Sequence, residues 1–170
     1  KAKSRSPLKI EADGTIVAQG NVPKTDTYTL TFLVDRKTTT GLRIDVLTDD
    51  SLPNKGPGRA SNGNFVINEL TATVAGQPVA LANASSSYSQ SGFTAPGIID
   101  GDLKTGWAIA EQTGRPQKAV FETKLNLGAE SPFPLTIQIV QEHGMEHVLG
   151  KFRLSATDAP RPIKIDGSDA

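Results

Sequence analysis

Thr27-Tyr28-Thr29-Leu30-Thr31-Phe32-Leu33-Val34 is the stretch that decides the fold. Tyr28, Leu30, Phe32 and Val34 fall on one face of an extended chain, and Thr27, Thr29 and Thr31 on the other. A period of two, carried by aromatic and β-branched residues, belongs to a strand that packs on one side and meets water on the other. The same pattern recurs in Leu42/Ile44/Val46, with Arg43 and Asp45 facing out, and in Leu135/Ile137/Ile139 and Phe152/Leu154/Ala156. Ala119/Phe121/Thr123/Leu125 reads as another inward row.

Working outward, Leu8, Ile10 and Ala12 alternate with polar residues, and Asp13-Gly14 reads as a hairpin turn into Thr15-Ile16-Val17-Ala18. Residues 64–75 read as one strand whose phase changes. Phe65 and Ile67 are apolar on one face, Leu70, Ala72 and Val74 on the other. The change at Asn68-Glu69 predicts a bulge or a new packing partner there. Gly76-Gln77-Pro78 turns the chain into Val79-Ala80-Leu81, and the Ser-rich residues 85–91 read as an extended connection. No sustained i, i+3, i+4, i+7 apolar pattern is present. Roughly eight or more short strands separated by turn signals predict an all-β fold, an antiparallel β-sandwich or jelly roll.

The chain has 170 residues, which suits one domain spanning 1–170. Residues 1–6 and 159–170 read as loose or linker ends of a segment excised from a larger protein. Lys+Arg and Asp+Glu both number 18, so no basic field points to nucleic acid or an anionic membrane. No apolar run approaches the ~18–20 residues of a membrane-crossing helix. With no cysteine, the fold uses no disulfide, thiolate nucleophile, thiolate metal site or covalently attached c-type haem.

The chemistry concentrates in residues 95–107, Ala-Pro-Gly-Ile-Ile-Asp-Gly-Asp-Leu-Lys-Thr-Gly-Trp. Gly101 permits a tight turn that lets Asp100 and nearby carbonyls converge, and Asp102 and Thr105 add oxygens from the same loop. A calcium ion takes six to eight such oxygens. The competing reading is an Asx turn, with both aspartates satisfying loop amides and no metal. Trp107 has two readings as well, a stacking platform for sugar or a plug packed beneath the loop. Residues 48–59 form a second long loop, in which Arg59 reads either as a ligand contact or as a partner for Asp49 or Asp50.

Ile99-Asp100-Gly101-Asp102, followed by Thr105-Gly106-Trp107, resembles the calcium-holding loop of discoidin-type, galactose-binding-like domains. In that superfamily a glutamate on a strand patterned like Phe65-Val66-Ile67-Asn68-Glu69-Leu70 completes the site, which implies Glu69, Asp100, Asp102 and Thr105 as metal residues. In many relatives that strand comes last. Here it precedes the loop, a permuted order. Residues 51–59, Asn62-Gly63-Asn64-Phe65-Val66, Gly106-Trp107-Ala108-Ile109, Ala119-Val120-Phe121-Glu122 and His147 with residues 151–155 resemble a module of planctomycete multidomain proteins that carry cytochrome c domains elsewhere. That resemblance implies a carbohydrate-binding-like module with structural calcium and no haem of its own, exported to the periplasm or cell surface.

Other constellations carry less. His143-Gly144-Met145-Glu146-His147 matches H-x-x-E-H, a zinc-peptidase pattern that requires a helix. Here it lies between two strand patterns and contains Gly144, so a polar hairpin turn with His147 bonded to backbone is the preferred reading. Asp49/Asp50 and Asp100/Asp102 are read as charged turns rather than a glycosidase pair. No nucleophile elbow, phosphate loop or dinucleotide fingerprint occurs, and the chain is expected not to be an enzyme. The expected function is a non-catalytic carbohydrate-binding-like module, with Arg59, Tyr88, Phe93 and Trp107 as the candidate ligand residues. The alternative is a docking domain for proteins or neighbouring domains of the parent, because most of the six Phe, two Tyr and one Trp occupy strand positions.

Overall fold

In a computed structural model that describes residues 2–166, the chain forms two antiparallel sheets packed face to face. Strands are numbered in chain order. One sheet runs β1 (Ala2–Lys3), β4 (Asp26–Val34), β10 (Phe133–Gln141), β6 (Glu69–Val74) and β7 (Gln77–Val79). The other runs β2 (Leu8–Ile10), β3 (Ile16–Ala18), β11 (Lys151–Thr157), β5 (Thr39–Val46), β9 (Gln117–Leu127) and β8 (Leu81–Ser86). No helix among the described residues is long and apolar enough to cross a membrane.

The alternating residues fix which faces meet. β4 pairs with β10 in register from Val34↔Phe133 to Asp26↔Gln141, which places Tyr28 and Leu30 beside Ile139 and Ile137 on the inner face. Ile44, Phe121 and Phe152 project from the opposing sheet into the same buried cluster. Tyr28 stacks on Phe152 at 5.7 Å between ring centroids, and its hydroxyl donates to the Leu149 carbonyl at 2.7 Å. Burial, followed by the charge of Asp26, pushes the Tyr28 hydroxyl far above its ordinary pKa. Tyr28 is therefore a neutral core donor.

The end of β9 departs from the sequence reading. Leu125 is 78% exposed rather than inward. The β5–β9 ladder changes register between Thr39 and Gly41, with Gly41 opposite Glu122 and Thr39 opposite Leu127. Strict alternation is lost between Glu122 and Leu127, and Leu127 packs against the core while Leu125 faces out. The new packing partner expected at Asn68-Glu69 is present: Ile67 forms an isolated bridge with Trp107, and β6 pairs with β10 only from Glu69, so residues 64–75 are split between two partners.

The expected loose ends are tied down where they are described. Asp26, 2% exposed, accepts the backbone N–H groups of Arg5 and Ser6, each at 2.8 Å. At the other end Thr40 donates to the Ala159 carbonyl at 2.6 Å, and the Arg161 guanidinium donates to the Thr123 carbonyl at 2.9 Å. Lys1 and residues 167–170, the remainder of those expected ends, lie outside the described residues.

Candidate metal loop and ligand surface

The loop carrying Asp100 leaves β8, makes one 3-10 turn at Ala95–Ile98 and returns through Trp107 to the Ile67 bridge. Glycines set this path. A Cβ on Gly106 would lie 2.7 Å from the Ile67 carbonyl oxygen, and one on Gly97 would lie 3.0 Å from the Gly106 nitrogen. Gly101 has a φ of +78°, a left-handed conformation that glycine adopts without strain.

Within that path the Asp100 carboxylate accepts the Asp102 N–H at 2.9 Å through Oδ1, while Oδ2 lies 2.6 Å from the Thr105 hydroxyl. The Thr105 hydroxyl is also 2.8 Å from the Asp102 carbonyl and 3.2 Å from the Gly97 carbonyl. A hydroxyl has one proton, so it can satisfy only one of these three oxygens at a time. Glu69, half-buried at the start of β6, reaches across to accept the Gly101 N–H at 3.0 Å. Burial first, and then the nearby Asp100 charge, hold the Glu69 carboxyl above the ordinary range.

Asp102 is arranged differently. Its carboxylate accepts the Lys104 N–H at 2.9 Å, so its contribution to the oxygen cluster is its carbonyl. Accordingly, among the described residues no three His, Cys, Asp or Glu side chains form a metal-holding group. The Asx-turn hydrogen bonds are present, and so is a surplus of oxygens drawn from two carboxylates, one hydroxyl and two carbonyls. That donor chemistry is entirely hard oxygen, which fits calcium better than zinc or copper.

Sequence reasoning missed Asn68. It is 3% exposed. Its amide donates to the carbonyls of Leu103 at 3.0 Å and Thr105 at 3.2 Å, while its oxygen accepts the Glu142 N–H at 2.7 Å. Asn68 thus pins the loop to the end of β10. The phase change in residues 64–75 marked the position, but its partners lie too far along the chain to be read locally.

The four candidate ligand residues do not form one surface. Trp107 is fully buried, packed edge-on against Phe65 at 5.2 Å, and its indole N–H donates to the Tyr88 carbonyl at 2.8 Å. It has no face left for a sugar. Arg59 is 8% exposed and donates to the Gly20 carbonyl rather than to Asp49 or Asp50. Asp49 instead pairs with Lys151 at 3.1 Å and accepts the Ser51 hydroxyl at 2.6 Å. The Ser51 hydrogen bonds and then Lys151 hold its carboxyl down to about 2. Tyr88 is half-buried, with its hydroxyl donating to the Ala110 carbonyl at 3.0 Å. Phe93 is half-buried and lies edge-on to His143 at 5.7 Å.

Residues 48–59 meet the chain just beyond the Asp100 loop. Asn54 donates to the Thr113 hydroxyl at 2.7 Å, and the Gly114 N–H donates to the Gly56 carbonyl at 2.7 Å. Both lie against residues 62–68, with Asn64 accepting the Ile109 N–H at 3.1 Å. No family model, curated protein or solved structure matches the chain.

Proposed function

We propose that this chain is a non-catalytic binding module whose Asp100 loop is organised by a calcium ion. The observation that carries the reading is the Thr105 hydroxyl, which has one proton and three close oxygen neighbours, in a loop whose Gly101 N–H is held by the Glu69 carboxylate. A calcium ion would take the Asp100 and Glu69 carboxylates, the Thr105 hydroxyl and the Gly97 and Asp102 carbonyls. It would neutralise two carboxylates that otherwise repel. The galactose-binding-like, discoidin-type identity and the planctomycete module type belong to this same proposal, as does export to the periplasm or cell surface as part of a larger protein.

Two ligand classes fit such a module. Carbohydrate binding rests on the resemblance, with Phe93 and the Tyr88 edge as the remaining aromatic contacts. Docking of protein partners or neighbouring domains is favoured by the burial of Trp107 and Arg59, since the large hydrophobic side chains exposed among the described residues are Ile10, Leu33, Leu103, Leu125 and Met145 and none is aromatic. We place docking ahead of sugar.

Calorimetric melts in calcium and in EGTA test the metal. The expected result is a higher melting temperature in calcium, by about 2.7 kcal/mol of stability at a hundred times the dissociation constant, abolished in Asp100→Ala. Equal melts with no calcium retained overturn it. A glycan array at high protein concentration, beside co-purification with neighbouring domains, then separates the ligand classes: sugar binding with no domain partner reverses the preference.

A further inference from the structure

The connection between β10 and β11 holds both histidines of the chain, and the proposed calcium module makes no use of them. His143 and His147 face each other with ring centroids 5.0 Å apart and planes at 75°. Two imidazoles that ligate one ion at N–metal distances of about 2.0–2.1 Å with a tetrahedral angle place their centroids about 5 Å apart. The separation of the two ring centroids is the one a bidentate chelate requires.

Two further observations bear on it. His147 Nδ1 lies 3.1 Å from the Gly144 carbonyl. Donating there fixes the tautomer and leaves the Nε2 lone pair free, as a backbone carbonyl does for metal-bound histidines. Between the two rings Gly144, Met145 and Glu146 all have left-handed backbone, with φ of 93°, 55° and 64°. Non-glycine residues occupy that region only under strain. Backbone hydrogen bonds hold this conformation from both sides: Glu146 N–H to the Lys24 carbonyl, Val66 N–H to the His147 carbonyl and Arg59 N–H to the Val148 carbonyl. The turn is thus rigidly set, and at its apex the Met145 side chain is 76% exposed.

We propose that His143 and His147 form a surface copper site, with the Met145 thioether as a third ligand to Cu+. Imidazole nitrogens suit copper, nickel and zinc, copper leads the divalent affinity order, and a thioether favours the soft cuprous ion. The site contains no glutamate acting as base and needs no helix, so it is distinct from the zinc-peptidase pattern. It does not depend on calcium at Asp100.

Titration of the metal-free chain at pH 7 with Cu2+, and with Cu+ under a competing chelator, tests the site. One ion per chain is expected, with a Cu2+ electron paramagnetic resonance spectrum showing two imidazole nitrogens. His143→Ala and His147→Ala should each weaken binding at least tenfold, and Met145→Leu should weaken Cu+ but not Cu2+. Copper affinity unchanged in the His143→Ala/His147→Ala double variant, or no stoichiometric uptake by the parent chain, overturns the proposal. Cu+ binding insensitive to Met145→Leu overturns the thioether assignment. His143 is exposed, so His143→Ala keeps the test decisive if the His147 variant fails to fold.

Discussion

Glu69 joins two opposing electrostatic states in one side chain. Without a cation, burial and Asp100 raise its folded-state pKa above that of the unfolded chain, where a glutamate titrates near ~4.3. The folded protein then binds the proton more tightly than the unfolded one. Stability is unaffected by Glu69 below the unfolded pKa and falls as pH rises through the folded value. In EGTA, Glu69→Gln is therefore expected to raise the melting temperature at pH 7 and leave it unchanged near pH 3. In calcium the sign at pH 7 reverses, because the same substitution removes a ligand charge. Parallel melting curves for the two proteins across pH in EGTA would show that Glu69 is not strained by its neighbours. Asp49 behaves in the opposite sense: its carboxyl is held down to about 2 by Ser51 and Lys151. Its contribution is present above the unfolded aspartate value and is lost as pH falls from about 4.

At the scale of elements, the bridge between Ile67 and Trp107 couples the loop to the sandwich. The two residues exchange backbone hydrogen bonds at 3.0 and 2.9 Å, and the approach is possible because Gly106 has no side chain. Gly106→Ala would set a methyl 2.7 Å from the Ile67 carbonyl oxygen, a rigid backbone atom. It is expected to destabilise by ~1–3 kcal/mol, as overpacking does, and to weaken calcium binding as Asp100 is displaced. Urea unfolding with and without calcium measures both; a midpoint within error of the parent would mean the loop shifts freely. This element also marks the limit of legibility. The long strands β4, β5, β10 and β11 were readable because each alternates locally. The bridge was not, since Ile67 and Trp107 look like ordinary apolar positions until chain closure brings them together. For the same reason the sequence left Trp107 and Arg59 open between surface and interior: their partners, the Tyr88 and Gly20 carbonyls, are backbone atoms remote in sequence.

For the whole molecule, the sheet order shows why segments that read as loose ends belong to the fold. β1 pairs with β4 at the edge of its sheet, and beyond β11 the Arg161 guanidinium donates to the Thr123 carbonyl of β9, so both segments attach to strands formed elsewhere in the chain. The N-terminal segment is the sharper case because it covers a charge. The Asp26 carboxylate is almost fully buried and accepts N–H groups from Arg5, Ser6 and Thr27. Composition gave no warning: Lys-Ala-Lys-Ser-Arg-Ser looks solvated, and the acceptor that orders it lies some twenty residues downstream. Removing residues 1–6 would leave Asp26 with the Thr27 N–H alone among these donors and would also delete β1. A buried acceptor stripped of partners costs about 1–3 kcal/mol, more when charged. A chain beginning at Pro7 should therefore unfold at a lower urea concentration. Asp26→Asn in that shortened chain should recover part of the loss, because a neutral amide is cheaper to leave unpaired than a carboxylate. An unchanged midpoint in the shortened chain would show that water replaces those donors at no cost. A lowered midpoint that Asp26→Asn does not improve would assign the loss to β1 rather than to the buried charge.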